Sequence, residues 1–145
     1  MRIRLRPMQS EDVEAVVRIE ESLFSQPWSR QGFLDSLQAD NTIYLVALAD
    51  GEVVGYCGLL QVLDEADVTN VAVDEAFHRK GIARALLQEL FVQAQKRGVL
   101  ALTLEVRKSN IPALSLYESL GFKNCGVRRN FYEKPTEDAV IMWKR

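Results

Sequence analysis

The segment His78-Arg79-Lys80-Gly81-Ile82-Ala83-Arg84 is the first place where residue types and spacing could do chemistry. It lies between an apolar run, Val68 to Val73, and a helical pattern from Ile82 to Arg97, so a strand feeds through a basic loop into a helix N-terminus. The first N–H groups of a helix have no intrahelical partner and point outward, which suits them to phosphate oxygens. Gly81, Ala83 and Ala85 are small enough to let a pyrophosphate approach the backbone, and Arg79, Lys80 and Arg84 add positive charge. No GKS or GKT follows the loop and no GxGxxG spacing is present, so it is neither a Walker loop nor a dinucleotide loop. The alternative is a solvated loop with a basic helix start, although cations at that end of a helix oppose its dipole and require a reason. Metal and covalent chemistry have less to work with. Cys57 and Cys125 show no CxxC or Cys/His spacing, and the single histidine, His78, completes no common zinc pattern. Both cysteines read as small buried hydrophobes in a reducing compartment, and no metal is expected.

The elements that must position this loop follow from periodicity. Ile3 and Leu5 alternate with arginines as a short edge strand, and Ser10 reads as the cap of a helix whose apolar face runs Val13, Val16, Val17, Glu20, Leu23 and Phe24. Ser25-Gln26-Pro27-Trp28 breaks it, and Ser29 restarts a second helix through Phe33, Leu34 and Leu37 to near Asp40-Asn41. From Thr42 the period changes to that of strands: Ile43 to Ala49 and Glu52 to Leu63 form a hairpin about Asp50-Gly51, a pair suited to a type I′ turn. The strand Val68 to Val73, the long helix, a strand from Val99 to Val106, a helix from Pro112 to Leu120, and strands at Phe122 to Tyr132 and Ala139 to Trp143 complete the chain. The order is β-α-α-β-β-β-α-β-α-β-β. It predicts one domain over residues 1–145, an α/β fold with a mixed, mostly antiparallel sheet of about seven strands and helices on both faces.

Composition excludes several classes. With 18 Lys+Arg against 20 Asp+Glu the net charge is −2, which gives no global basic field for nucleic acid. Apolar residues make up 48% of the 145 residues, enough for one sizeable core without disulfide or metal staples. No uncharged apolar run approaches 18 residues and Met1-Arg2-Ile3-Arg4-Leu5-Arg6 is no signal-peptide core, so a cytoplasmic protein that does not span a membrane is expected.

The same residues carry a resemblance. Val71-Ala72-Val73-Asp74, His78-Arg79-Lys80-Gly81-Ile82-Ala83 and Ala85-Leu86-Leu87 resemble motif A of the GNAT family of N-acetyltransferases, whose loop has the form Gln/Arg-x-x-Gly-x-Gly/Ala. His78 stands at its first position, a mild departure, because the family holds the pyrophosphate of coenzyme A with backbone amides. Leu104-Glu105-Val106-Arg107-Lys108-Ser109-Asn110 and Ala113 to Phe122 resemble the second half of the acetyl-CoA site. Within the family the pattern is similar to the bacterial ribosomal-protein-alanine N-acetyltransferases, through Pro27-Trp28-Ser29, Leu63-Asp64-Glu65-Ala66 and Arg128-Arg129-Asn130-Phe131-Tyr132.

The resemblance implies acetyl-CoA as cosubstrate, direct transfer without an acyl-enzyme, Glu105 as general base and Tyr117 as general acid for the departing thiolate. It implies that the backbone of Val71, Ala72 and Val73 aligns the acyl-pantetheine arm, that residues 78–84 hold the pyrophosphate, and that Asn110 contacts the cofactor. The acceptor it implies is the N-terminal alanine of a small-subunit ribosomal protein, with Trp28 and Tyr132 flanking the amine. Glu65, with Asp64 and Asp67, forms an acidic group suited to an ammonium or arginine of the acceptor, or equally a charged hairpin turn. On spacing alone Glu105 could pair with Arg107, Tyr117 could be core, Asn110 could cap its helix, and Trp28 and Tyr132 could simply pack. Chemistry leans toward an α-amine: near pH 7.4 roughly a quarter of a peptide α-amine is neutral against about a thousandth of a lysine side chain, so a modest base suffices. Acetylation of a small amine or of protein lysines, and a non-catalytic acyl-CoA-binding module, are the competing readings.

Overall fold

A computed structural model describes residues 2–145. Its elements in chain order are β1 (Ile3–Pro7), a 3-10 turn (Ser10–Asp12), α1 (Val13–Leu23), α2 (Arg30–Gln38), β2 (Thr42–Ala49), β3 (Glu52–Val62), β4 (Glu65–Val73), a second 3-10 turn (Glu75–Phe77), α3 (Ile82–Lys96), β5 (Ala101–Arg107), α4 (Ile111–Ser119), β6 (Lys123–Tyr132) and β7 (Glu137–Lys144). They build one seven-stranded sheet in the order β1-β2-β3-β4-β5-β7-β6, in which only β4 and β5 run parallel. The predicted element order and sheet type are therefore those observed. At the Asp50-Gly51 hairpin both residues take positive φ, 50° and 89°, as a type I′ turn demands.

Two apolar cores lie on the two faces of the sheet. On one, Val13 and Val16 of α1 and Phe33 of α2 pack over Tyr44, Val46, Tyr56 and Ala72. On the other, Leu86, Leu87 and Leu90 of α3 and Tyr117 of α4 pack over Cys57, Leu59, Leu104, Val106 and Met142. Strand alternation sends successive side chains to opposite cores, so the parity of a residue along its strand decides which side of the sheet it serves.

Two local expectations are corrected. Ser10 is not the cap of α1: it sits inside the 3-10 turn, and the reciprocal cap runs between Gln9 and Asp12, with Gln9 N–H donating to Asp12 Oδ2 at 2.7 Å and Asp12 N–H to Gln9 O at 2.9 Å. Asp12 is favoured for this because Arg6 grips it from β1 through two bonds, at 2.7 and 2.9 Å, a partner that lies outside any local capping pattern. Strand β4 begins at Glu65 rather than Val68, since Glu65, Ala66 and Asp67 pair with β3 on one side and with Ala101, Leu102 and Thr103 of β5 on the other. No helix among the described residues is long and apolar enough to cross a membrane.

Candidate active site

The site begins where the parallel pairing stops. Beyond Asp67↔Thr103 no further β4–β5 pair forms. On its other side β4 carries a bulge: Val68 pairs Leu59 and Asn70 pairs Gly58, leaving Thr69 as the extra residue. The bulge is held from two strands away, where the Tyr44 hydroxyl meets Thr69 Oγ1 at 2.8 Å and Asn70 Oδ1 at 3.1 Å. Tyr44 reaches there because its cross-strand partner is Gly58, where any Cβ would sit 2.1 Å from the Tyr44 ring. The result is a split sheet with a cleft of about 680 Å³ whose walls include Val68 to Val71 of β4 and Leu104 to Arg107 of β5. Along this stretch the β4 backbone pairs with β3 only, so its β5-facing N–H and C=O groups are available to an extended ligand lying as an added strand.

Alternation on β5 puts Leu104 and Val106 into the α3–α4 core and hence Glu105 and Arg107 on the α1–α2 face. The suspected Glu105–Arg107 pair does not form. Arg107 instead bonds Glu137 Oε1 at 3.1 Å and the carbonyls of Glu133 and Pro135 at 2.9 and 3.0 Å, with its guanidinium 4.5 Å from the centre of the Tyr132 ring. It thereby fastens the β6–β7 loop over the cleft. Hydrogen bonding to Ser109, partly offset by burial, and the Arg107 guanidinium hold the Glu137 carboxyl below its ordinary value. Glu105 keeps only a loose contact with Arg128, at 3.6 Å, and its side chain is 30% exposed at the cleft wall.

Opposite Glu105 on the same face stand Trp28, Phe24 and Tyr132, all lining the cleft, together with Glu20, which sequence reasoning passed over. Glu20 is 3% exposed, accepts the Trp28 backbone N–H at 2.9 Å and the Tyr56 hydroxyl at 2.5 Å. The trace in the sequence is a single carboxylate in the otherwise apolar stripe of α1. Burial, Glu105 and Glu137 push the Tyr132 phenol up to about 12, Arg107 partly opposing them.

Tyr117, Ala113 and Asn110 line the cleft from the α3–α4 side. Tyr117 is core and cleft wall at once: its ring packs edge-on against Phe122 at 5.8 Å, and burial above all raises its phenol well above the ordinary tyrosine value. Asn110 caps α4, its Oδ1 accepting the Ala113 N–H at 3.3 Å. Val71 lines the cleft, while the side chains of Ala72 and Val73 are core.

The basic loop follows β4 through the 3-10 turn Glu75–Phe77. Arg79 and Gly81 both take left-handed φ, 65° and 76°, flanking Lys80, and alternation of this kind turns neighbouring N–H groups to one side. Among the described residues, none of the backbone N–H groups from Arg79 to Arg84 donates to a carbonyl, and no side chain caps α3. Six amides, those of Arg79, Lys80, Gly81, Ile82, Ala83 and Arg84, are thus left for a ligand, in the pattern that suits phosphate. Gly81→Ala meets no protein atom within 4 Å but forces a side chain into the left-handed region, a strain of roughly 1–2 kcal/mol. With the acetyl-CoA that the resemblance implies, the expected result is a rise of about 5- to 30-fold in its KM with kcat largely kept, read from initial rates at saturating acceptor. An unchanged KM would show that the loop does not hold the cofactor.

Three placements differ from expectation. The His78 backbone N–H is not part of the open amide set: it donates to Glu75 O at 3.2 Å, and the ring Nε2 lies 2.6 Å from Val73 O, so the residue braces the loop against the end of β4. Glu65 does not line the cleft. With Asp64 and Asp67 it lies at the start of β4, before the strands diverge, and about 16 Å of strand separates Glu65 from Asn70. The charged-hairpin alternative describes that group. Cys125 is exposed rather than buried, because it is the extra residue of a bulge on edge strand β6, between Asn124 and Gly126; Cys57 is fully buried, and burial pushes its thiol up. Among the described residues no cluster of His, Cys, Asp and Glu could hold a metal.

Comparison with known proteins agrees with this architecture. Residues 13–122 match the acetyltransferase (GNAT) family. An Escherichia coli protein named ribosomal protein bS18-alanine N-acetyltransferase is 40% identical over 139 residues, covering 93% of this chain and 92% of that protein. Among solved structures, the ribosomal-protein-S18-alanine N-acetyltransferase of Escherichia coli superposes with a TM-score of 0.91 at 37% identity, covering 99% of this chain and 93% of the other. Ard1 from Thermoplasma volcanium also reaches 0.91, at 26% identity, with 99% and 97% covered. A split sheet, a loop of open amides between β4 and α3 and a family match spanning both place this chain in the acetyltransferase (GNAT) family.

Proposed function

We propose that the protein transfers the acetyl group of acetyl-CoA to the N-terminal α-amine of a protein beginning with alanine, the acceptor being the small-subunit ribosomal protein for which its relatives are named. The observation that carries the mechanism is the sidedness of the cleft: Glu105 faces the α1–α2 side and Tyr117 reaches the same cleft from the α3–α4 side. Acetyl-CoA enters from the α3–α4 side, its pyrophosphate on the amides of residues 79–84 and its acyl arm along the free edge of β4. Asn110 lines the cleft that receives the acyl arm. The acceptor enters from the other face, between Trp28 and Tyr132.

Glu105 takes a proton from the ammonium, directly or through water. The neutral nitrogen attacks the thioester carbon, the C–N bond forms, the C–S bond breaks, and Tyr117 protonates the departing thiolate. A main-chain N–H of β4 polarises the thioester oxygen. The raised phenol of Tyr117 suits a donor that must stay protonated until the thiolate appears. Neither Cys57, which is buried, nor Cys125, which is exposed, lines the cleft, in keeping with direct transfer. The acidic group that would have favoured a small polyamine lies outside the cleft, which supports a peptide end as acceptor. A ribosomal acceptor puts the reaction in the cytoplasm.

The test is thiol release from acetyl-CoA with four acceptors: a short peptide beginning with alanine, its N-blocked lysine-containing counterpart, spermidine and an aminoglycoside. Turnover with the free alanine peptide alone supports the reading. Turnover with the lysine peptide or the small amines instead moves the acceptor class. Coenzyme A binding without turnover on any acceptor points to an acyl-CoA-binding module.

A further inference from the structure

Asp12 and Glu20 are the buried carboxylates among the described residues, and their surroundings differ. Asp12 is met by the Arg6 guanidinium through two bonds. Glu20 forms no ion pair with any described residue. A carboxylate taken out of water without a counter-cation is tolerated when donors satisfy it, and here each oxygen has one: Trp28 N–H at Oε2 and the Tyr56 hydroxyl at Oε1.

These partners are joined a second time through their rings. Trp28 lies 5.3 Å from Phe33 between ring centres, and Phe33 meets Tyr56 edge-on at 5.8 Å. Glu20 of α1, Trp28 at the corner between the helices, Phe33 of α2 and Tyr56 of β3 therefore close a ring of contacts, in which the carboxylate is the piece that ties the corner's backbone to the sheet. Phe24, Ser25, Gln26 and Trp28 of that corner line the cleft on the side that Glu105 faces. Glu20 is thus part of that wall, with both carboxylate oxygens turned to protein donors.

We infer that Glu20 is a positioning residue for the acceptor: through Trp28 and Tyr56 it fixes the α1–α2 corner over the amine-binding half of the cleft. The inference rests on the reading that the α1–α2 face takes the amine. The carboxylate acts by geometry, so an amide in its place works: Gln offers an oxygen to the Trp28 N–H and an NH₂ to the Tyr56 oxygen.

The experiment varies alanine-peptide and acetyl-CoA concentrations separately for wild type, Glu20→Ala, Glu20→Gln and Tyr56→Phe, with coenzyme A affinity by calorimetry and a thermal melt of each. Glu20→Ala raises the acceptor KM by roughly tenfold, the scale of a lost hydrogen bond to a charged group, with coenzyme A affinity unchanged. Glu20→Gln restores most of that loss. Tyr56→Phe keeps the ring contacts and the Trp28 bond, and raises the acceptor KM by about threefold, less than Glu20→Ala because one of the two ties remains. It carries the test if Glu20→Ala does not fold. A purely structural role would lower the melting temperature and leave the acceptor KM of folded protein where it was; that result, in Glu20→Ala or in Tyr56→Phe, overturns the inference. So does a Glu20→Gln protein as impaired as Glu20→Ala, which would mean that charge and not tethering matters. A shift in the acetyl-CoA KM in place of the acceptor KM would overturn the assignment of faces, and the inference with it.

Discussion

Glu105→Gln is expected to lower kcat by about 10²–10⁴-fold, the range of a positioned general base, while leaving the KM for acetyl-CoA near its wild-type value. The fold should survive. Glu105 is part-exposed on the cleft wall, and among the described residues its ion pair is the 3.6 Å contact with a mostly exposed Arg128, a class of pair worth less than about 1 kcal/mol. The amide keeps the shape of the side chain and removes only its basicity. The defect should also shrink with rising pH. A peptide α-amine titrates near pH 7.7–8.0, so at about pH 9 most of the acceptor is already neutral and the base has less to do. Initial rates of thiol release between pH 6.5 and 9 read both effects. A variant whose kcat equals wild type at pH 7, or whose defect does not vary with pH, sinks the role given to Glu105.

How far such a site can be read from sequence depends on how local its causes are. The helix α3 and the strand β5 write their burial into their own spacing, with Leu86, Leu87 and Leu90 on one helix face and Leu104 and Val106 on one strand face. Once β5 alternates, Glu105 has to face the other side of the sheet. The basic loop is legible for the same reason, since the strand, Gly81 and the helix start lie within a dozen residues of one another.

What escaped has causes that lie elsewhere in the chain. The bulge at Thr69 opens the cleft, yet it is held by Tyr44 from β2, which needs Gly58 on β3 to pass. Nothing in Val68-Thr69-Asn70-Val71 announces it. Arg107 takes carbonyls of residues 133 and 135, which no spacing rule connects to it. The acidic group at Glu65 adjoins the right strand, but the strand's length carries it to the wrong end. Residue type alone places Cys125 in the core, and the edge-strand bulge decides otherwise. Glu20 left one trace, a carboxylate where the helix period calls for an apolar side chain, and its partners Trp28 and Tyr56 became visible only once α1 lay on the sheet.

Tyr117→Phe should lower kcat by about 10²-fold or more with little change in either KM, because the ring's packing against Phe122 is kept and only the hydroxyl is lost. Stability should hardly move, since Tyr117 uses its hydroxyl for no hydrogen bond among those that build the fold. The pH profile distinguishes an acid from a merely polar neighbour. Burial raises the Tyr117 phenol above its ordinary value of 10.0, so the proton is present throughout the range in which the enzyme can be assayed. Wild-type kcat should therefore show no alkaline limb below about pH 10. The rate rises with pH as the acceptor amine deprotonates, then stays level. In Tyr117→Phe the thiolate leaves without a proton, and a leaving group that no longer needs one recovers the rate. An acetyl ester of an acidic thiophenol, used in place of acetyl-CoA, should lose far less than the natural thioester when Tyr117 is changed, whereas the loss in Glu105→Gln should persist with both donors. Equal losses for Tyr117→Phe with the two donors would mean that the tyrosine shapes the cleft and that the thiolate takes its proton from water.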